Sequence, residues 1–275
     1  MMLLLDMGNT RIKAGRVAEG CLDALGSLPT SRLGTPDWLQ DLGIDADAVR
    51  RVAVASVAGG RRDSLLAEAL DAARMPAPEF ARVRRTACGV TCAYPEPERL
   101  GVDRWVALLG ARAMTCRPVC VADAGSALTM DALDREGVHL GGLISPGLAM
   151  MREALLAGTG NLAEFSRNSR DVSGPLFAAD TRPAIDRGAR EASAGLIHRA
   201  LEALAAHTGE PPDLIVTGGD GRQLLADLSA GPEVVARGRY EPDLALAGLA
   251  QLTLSDSGDT LPGMPRLPTV APGPT

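Results

Sequence analysis

Two turns of the same composition follow buried strands at widely separated points of the chain, and this repeat constrains the fold more than any other feature. An apolar run over residues 2–5 ends in Asp6, and the turn Gly-Asn-Thr follows at 8–10. The same order of residue types, D-x-G-[NS]-[TA], begins again at Asp123 after a second apolar run. The repeat therefore predicts two copies of one α/β unit, with a ligand bound in the cleft between them.

The spacing of apolar residues predicts the elements of each copy. Strands are predicted at 2–6, 11–17, 50–59, 119–123, 127–133 and 138–144, a strand with a glycine turn at 213–221, and helices at 64–74, 101–114, 148–158, 187–207 and 242–254. We expect an N-terminal domain over residues 1–115 and a C-terminal domain over 116–254. The last residues hold five of the 19 prolines and almost no periodicity, which predicts a disordered tail over 255–275.

Charge and apolar content argue against two classes of partner. A net charge of −6 on 275 residues disfavours nucleic acid, which usually selects a basic surface. No apolar stretch approaches the roughly 20 residues of a membrane helix. The start, MMLLLD, lacks the basic region of a secretory signal, so we expect a cytoplasmic protein. Five cysteines favour free thiols, although two C-x-x-x-C pairs leave a zinc site open.

Both turns have the chemistry of phosphate-binding loops. Glycine and small polar residues expose several backbone N–H groups that can bind an anion. The acid before each turn cannot favour phosphate by itself, but it can hold a cation that bridges to the phosphate. A tight hairpin is the alternative for either turn alone. Thr10 and Ser126 are candidate hydroxyl donors, and Lys13 is either a phosphate ligand or a solvated hairpin lysine. Gly218 and Gly219 either let a nucleotide base lie against the backbone or form a plain strand-to-helix turn.

Four segments resemble the motifs of the type III pantothenate kinases, in the same order. They are DMGNTRIK at 6–13, AYPEPERLGVDRW at 93–105, DAGSALTMD at 123–131 and GGLISPGLAMMREAL at 141–155, and the resemblance extends over residues 2–250. It implies two duplicated ribonuclease-H-like domains of the actin-like ATPase type with a cleft between them. It also implies ATP-dependent phosphorylation of pantothenate to 4'-phosphopantothenate, the first step of coenzyme A biosynthesis.

The resemblance also implies a role for individual residues. Asp103 is the expected general base. The expected pantothenate site consists of Tyr94, Gly101, Val102, Asp103, Arg104 and Thr181. The expected ATP site consists of Asp6, Met7, Gly8, Asn9, Thr10, Arg11, Ile12, Lys13 and Ser126. Asp123 is expected to hold a monovalent cation, K⁺ or NH₄⁺, and Mg²⁺ is expected to accompany ATP. Members of the family form homodimers that share the substrate site.

Asp103 can also be interpreted from the residues alone. It lies in the first turn of a predicted helix, where the positive end of the helix dipole favours the charged form that a base requires, and Arg104 beside it could bind a carboxylate. A capping aspartate with a solvated arginine is the alternative, and it is the better interpretation without the resemblance. Two departures from the family pattern are Ser126 in place of threonine and a missing glycine after Thr181.

Alternatives of other classes stay open. A nucleotide-binding regulatory protein would keep both glycine turns but lose the acid at 103, so Asp103 favours an enzyme. A phosphatase-like enzyme or a kinase for another small hydroxylated acid is separated from pantothenate only by Tyr94 and the G-V-D-R segment. The apolar stripe of the helix at 101–114 includes Trp105, which packs either inside its own subunit or on a second one. We expect the second arrangement, in which Trp105 anchors a homodimer.

Overall fold

A computed structural model of the chain describes residues 1–35, 37–158, 175–229, 238–256 and 258. The predicted disordered tail falls almost entirely outside the described residues. By its internal contacts the chain divides into two compact units. The first comprises residues 1–116, 133–141 and those from 243 onward, and the second comprises 117–132 and 142–242.

The described residues form twelve strands and seven α-helices. The strands are β1 Met2–Met7, β2 Arg11–Ala18, β3 Cys21–Pro29, β4 Arg51–Ser56, β5 Pro78–Phe80, β6 Thr86–Ala87, β7 Val90–Thr91, β8 Val119–Ala124, β9 Ala127–Leu133, β10 His139–Pro146, β11 Asp213–Thr217 and β12 Gly238–Tyr240. The helices are α1 Trp38–Asp41, α2 Gly60–Ala72, α3 Val102–Met114, α4 Leu148–Gly158, α5 Thr181–Thr208, α6 Gly221–Ser229 and α7 Leu244–Ser255.

Two five-stranded sheets repeat one topology. The first has the order β3-β2-β1-β4-β5 and the second β10-β9-β8-β11-β12. In the first sheet β1 is antiparallel to β2 and parallel to β4, and in the second β8 is parallel to β11. The central strands β1 and β8 are buried on both faces, which explains their continuous apolar runs. The predicted α/β fold of two duplicated units is confirmed.

Helices α3 and α7 pack tightly against each other in the first unit. A Cβ on Gly248 would lie 1.7 Å from the carbonyl oxygen of Val106, and a Cβ on Gly110 would lie 2.4 Å from that of Leu244. Glycine is therefore required on both helices where they cross. Trp105 is fully buried in this layer, with an exposed fraction of 0%. The prediction that Trp105 anchors a homodimer is wrong, because its side chain is covered by its own subunit.

Seven of the described strands and α-helices have no counterpart among the sequence predictions. They are β3, β5, β6, β7, β12, α1 and α6. Helix α5 also begins at Thr181, well before the predicted start at 187. Asp180 caps that helix, since its carboxylate accepts a hydrogen bond from the backbone N–H of Arg182.

The cysteines are unpaired thiols, and two of them, Cys92 and Cys120, are buried. Burial raises the pKa of the Cys120 thiol to about 12. Among the described residues no cluster of three or more His, Cys, Asp or Glu side chains could hold a metal ion. Within the same residues, no helix combines the length and the apolar character needed to cross a membrane.

Candidate functional site

The first turn joins β1 to β2 and is closed by its own backbone. The N–H of Gly8 donates to the carbonyl oxygen of Arg11 at 3.0 Å. Thr30 supports the turn from behind, because its hydroxyl donates to the carbonyl of Gly8 at 3.2 Å and its N–H donates to the carbonyl of Thr10 at 3.0 Å. Asn9, Thr10 and Arg11 are exposed. Their backbone and hydroxyl groups are therefore accessible to an anion.

Two charged side chains flank the first turn on neighbouring strands. Asp6 and Lys13 lie directly opposite each other in the antiparallel pairing of β1 and β2, which places a carboxylate and an ammonium on neighbouring strands. Met7 and Ile12, also expected at the ATP site, have fully buried side chains in the core of the first unit. Only their backbone groups can contact a ligand.

The second turn joins β8 to β9 and is packed from two sides by glycine segments that are distant in sequence. The N–H of Gly147 donates to the carbonyl of Ser126 at 3.1 Å, and a Cβ on Gly147 would lie 2.3 Å from the carbonyl oxygen of Gly125. On the other side, the N–H of Asp220 donates to the carbonyl of Ala124 at 3.0 Å. The segments S-P-G and T-G-G-D-G therefore meet at the second D-x-G turn, and Ser126 remains exposed.

Asp123 is the second-last residue of β8 and lies next to one of these glycines. Gly218 has a φ of +87°, and a Cβ there would lie 2.4 Å from both Oδ1 of Asp123 and the carbonyl oxygen of Ala124. These two oxygen atoms therefore converge on one side of Gly218, where no side chain fits. A carboxylate oxygen and a backbone carbonyl oxygen are both groups that can contact a cation.

Asp103 lies in the first turn of α3, beside Gly101. Its Oδ1 accepts a hydrogen bond from the backbone N–H of Arg104 at 2.8 Å. The same oxygen would lie 2.5 Å from a Cβ on Gly101, so glycine at 101 gives the carboxylate its room. Val102, between them, is half-buried. The structure thus holds an acid at the positive end of a 13-residue helix.

Tyr94 contacts Arg104, the residue that follows Asp103. Nη1 of Arg104 donates to Oη of Tyr94 at 3.2 Å, and the guanidinium carbon lies 5.9 Å from the centre of the tyrosine ring. Arg104 is 8% exposed, so its charge is held in place by its surroundings. Three expected pantothenate ligands, Tyr94, Asp103 and Arg104, are therefore brought together in the first unit.

Thr181 belongs to the second unit, where it is the first residue of α5. It is exposed and lines an apolar cavity of about 700 Å³ between α4 and α5. Other residues of the lining are Pro146, Met151, Leu155, Ile185 and Gly188. A buried Asp186 forms an ion pair with Arg152 at 2.6 Å and ties the two helices together.

Sequence reasoning missed several residues that shape these sites. Arg62, at the start of α2, reaches Asn9 of the first turn, with Nη1 at 3.5 Å from Oδ1. Thr30 supports that turn, and His139 stacks on Tyr94. Their partners lie 22 to 53 residues away in the sequence, a separation at which no local pattern signals a contact. The glycine turn after β4 was the only local signal near Arg62.

Comparisons with known proteins add independent information. A family model described as type III pantothenate kinase matches residues 2–203. A type III pantothenate kinase of Nitrosococcus oceani is 34% identical over 264 residues, which cover 94% of this chain and 95% of that protein. A type III pantothenate kinase of Methylibium petroleiphilum is 37% identical over 246 residues, covering 85% of this chain and 93% of that protein.

Solved structures share the fold at low identity. A Campylobacter jejuni protein, provisionally named a Baf family transcriptional activator, is 20% identical with a TM-score of 0.56, covering 93% of this chain and 99% of that one. A Sinorhizobium meliloti protein, provisionally named a 2-dehydro-3-deoxygalactonokinase, is 14% identical with a TM-score of 0.56 over the same shares. At these identities the likeness concerns the fold alone.

Proposed function

Because the chain belongs to the type III pantothenate kinase family, we infer that it transfers the γ-phosphoryl group of ATP to pantothenate. The product is 4'-phosphopantothenate, and the reaction is the first step of coenzyme A biosynthesis. The observation that carries this function is the group of Asp103, Arg104 and Tyr94 on one helix end and its neighbouring segment. A non-catalytic regulatory protein of the same family would not need an acid at 103.

Asp103 acts as the general base. Phosphoryl transfer requires positioning, neutralisation of charge and a residue that accepts the hydroxyl proton. The carboxylate lies at the positive end of α3, and the hydrogen bond from the N–H of Arg104 fixes one of its oxygen atoms at 2.8 Å. The reacting hydroxyl of pantothenate gives its proton to this carboxylate while its oxygen attacks the γ-phosphorus and ADP leaves.

Arg104 and Tyr94 orient the substrate. The guanidinium of Arg104 carries a fixed positive charge, and pantothenate carries a carboxylate, so a charge-assisted hydrogen bond between them sets the direction of the substrate. The hydrogen bond of 3.2 Å from Arg104 to Tyr94 limits the rotation of both side chains. Gly101 and Val102 supply the backbone next to the base.

The two glycine turns bind the phosphates of ATP. Residues 6–13 form the first turn and its flanks, with Lys13 adding charge, and Ser126 donates its hydroxyl from the second turn. Mg²⁺, bound with ATP, would supply neutralisation of the phosphate charge. Asp123, together with the carbonyl of Ala124, would hold K⁺ or NH₄⁺ beside the second turn.

The function is tested with purified protein, ATP, Mg²⁺, K⁺ and pantothenate, and the product is identified by its mass. Asp103→Asn keeps the shape of the side chain but cannot take the proton, so we expect kcat to fall by ~10²–10⁴-fold. Asp63→Asn is the matched control, because Asp63 also lies in the first turn of a 13-residue helix. Equal turnover by Asp103→Asn and wild type would remove Asp103 from the mechanism.

The monovalent site is tested by replacing the cation. We expect activity in K⁺ or NH₄⁺ buffers and a strong loss in Na⁺, and we expect Asp123→Ala to reduce the difference. A wild-type enzyme that works equally well in Na⁺ and K⁺ would contradict the assignment of Asp123.

A homodimer is proposed through the second unit. Large apolar side chains are exposed there on β10 and α4, with exposed fractions of 68% for Ile144, 47% for Met150 and 46% for Leu155. Exposed apolar surface of this extent is typical of an interaction site, and Thr181 lines the adjacent cavity. Light scattering should give a dimer for the wild type and a monomer for Ile144→Glu. Because ATP is the phosphoryl donor, we place the enzyme in the cytoplasm.

A further inference from the structure

His139, the first residue of β10, lies buried against Tyr94 and is not used by the mechanism above. Its exposed fraction is 1%. The two rings stack with an angle of 9° between their planes and 6.0 Å between their centres. A separation of this size is typical of offset aromatic pairs. A ring with almost no exposed surface cannot touch substrate, so any contribution of His139 passes through Tyr94.

The histidine also holds the backbone next to Tyr94. Nδ1 of His139 accepts a hydrogen bond from the N–H of Ala93 at 3.4 Å. The same side chain therefore contacts both the ring of Tyr94 and the peptide that precedes it.

Two arginines hold other parts of the segment around Tyr94. Arg85 binds the backbone, since its guanidinium donates to the carbonyls of Cys92, Tyr94 and Pro95 at 3.1, 2.8 and 2.6 Å. Arg104 binds the hydroxyl end of the ring at 3.2 Å. The Arg104 guanidinium carbon also lies over the ring, 5.9 Å from its centre, and His139 adds a stacked ring to the contacts of Tyr94.

We propose that His139 is a positioning residue for the pantothenate site. Its ring holds the Tyr94 side chain in the position in which the tyrosine hydroxyl contacts Arg104. The proposal rests on the proposed function for the substrate but concerns a contact that exists without it. Loss of His139 lets the Tyr94 side chain turn about its Cα–Cβ bond, which moves the hydroxyl away from Arg104 and removes a contact that orients the guanidinium for the substrate carboxylate. Asp103 lies on α3 and has its own hydrogen bond to the helix backbone, so proton transfer is not affected.

The contact itself can be measured without enzyme activity. The chain has only two tyrosines, Tyr94 and Tyr240, so incorporation of 3-fluorotyrosine gives two ¹⁹F signals. Tyr94→Phe assigns them. We expect His139→Leu to shift or broaden the signal of Tyr94 and to leave that of Tyr240 unchanged. His207→Leu, at an exposed histidine of α5, should change neither. An unchanged Tyr94 signal in His139→Leu overturns the proposal.

Kinetics then separate positioning from a merely structural role. We expect His139→Leu to raise KM for pantothenate about tenfold, with kcat and KM for ATP within about twofold of wild type. His139→Phe keeps the stacking and His139→Asn keeps an acceptor near Nδ1, so each should recover part of the loss. Leu66→Ala, in the buried core of the first unit, controls for lower stability. If His139→Leu and Leu66→Ala lower kcat and melting temperature alike, with KM unchanged, the role is structural and the proposal fails.

The two hypotheses fail in different ways. A wild-type protein that makes no phosphopantothenate, while His139→Leu still moves the Tyr94 signal, contradicts the kinase function and upholds the contact. If the wild type is active and all three His139 variants have the wild-type KM for pantothenate, the function is upheld and the positioning role is overturned.

Discussion

The two halves of the chain share the order of their five-stranded sheets, but their helices are covered to different extents. In the first unit, α3 and α7 approach so closely that glycine is required on both, and Trp105 is fully buried. In the second unit, α4 and α5 border an open apolar cavity, and Ile144 on β10 is 68% exposed. Duplication therefore preserves the sheets and turns, while the helix surfaces have diverged into a closed core and an exposed face.

The two D-x-G turns differ in how tightly they are packed, and here the second unit is the more closed of the two. A Cβ on Gly8 of the first turn would meet only the carbonyl of Arg11, at 3.4 Å. The second turn is enclosed by backbone on both sides, at Gly147 and Gly218. The first turn is thus held by hydrogen bonds of its own backbone and of Thr30, and the second by close packing of backbone at Gly147 and Gly218. The second turn is therefore the more tightly packed of the two.

Replacing Trp105 should produce the largest effect and should sharpen the comparison of the helix layers. Trp105→Ala leaves a cavity in a core that is closed, so we expect a loss of ~3–5 kcal/mol in the free energy of unfolding. The dimer should persist in the fraction that remains folded. Ile144→Ala, on the exposed face, should change the stability of the monomer by less than about 0.5 kcal/mol.

Chemical denaturation and light scattering on both variants test this contrast. Dissociation of the dimer by Trp105→Ala at a temperature where the protein is fully folded would contradict the assignment of the interface to the second unit.

The sequence predicts elements that have a local pattern and misses features that depend on residues far apart in the chain. The strands around both turns and helices α3, α4 and α7 were predicted and are confirmed, because long buried runs and helical spacing are local patterns. Strands of two or three residues, such as β6 and β12, hold too few positions to show a period. The burial of Trp105 in its own subunit was missed because apolar spacing in α3 indicates which face of the helix is covered but not which chain covers it.

The site was predicted in part for the same reason. Tyr94, Asp103 and Arg104 lie within one short segment, so a motif could identify them together. His139 and Thr30 could not be identified, since each acts on a residue that only the folded chain brings near. Gly147 was part of a recognised motif, but its packing on the second turn arises only in the folded chain.

A smaller effect is expected when the two turns are compared by alanine substitution. Gly218→Ala places a Cβ 2.4 Å from Asp123 Oδ1 at a φ of +87°, so the backbone or the carboxylate must move. We expect a loss of about 1–3 kcal/mol in stability and a weaker dependence of activity on K⁺. Gly8→Ala has room for its Cβ and should change stability by less than about 1 kcal/mol.

Thermal unfolding of both variants, with activity measured in K⁺ and Na⁺, provides the test. Equal destabilisation by Gly218→Ala and Gly8→Ala would show that the second turn is no more rigidly packed than the first.

The smallest effect concerns an exposed charge pair of the first unit. The guanidinium of Arg84 donates to both carboxylate oxygens of Asp256 at 2.7 Å and lowers the pKa of Asp256. A carboxyl whose pKa is lower in the folded state stabilises the fold above its unfolded pKa of about 3.9, and this contribution disappears as the pH falls through the folded pKa. Both side chains are more than 40% exposed, at 48% and 43%, so solvent screening limits the pair to ~0–1 kcal/mol.

The second unit offers a less exposed pair for comparison, Arg190 with Asp227, at 12% and 23%. We expect Arg84→Ala to cost less than about 1 kcal/mol at pH 7, to cost less at pH 2.5 than at pH 7, and to lose its effect in 1 M salt. Arg190→Ala should cost more at pH 7 and depend less on salt, because water screens a partly buried pair less. Urea denaturation at both pH values and both salt concentrations measures these differences. If Arg84→Ala costs more stability than Arg190→Ala, exposure to solvent does not determine the strength of these two ion pairs. The comparison of the two units by burial would then not extend to their charged side chains.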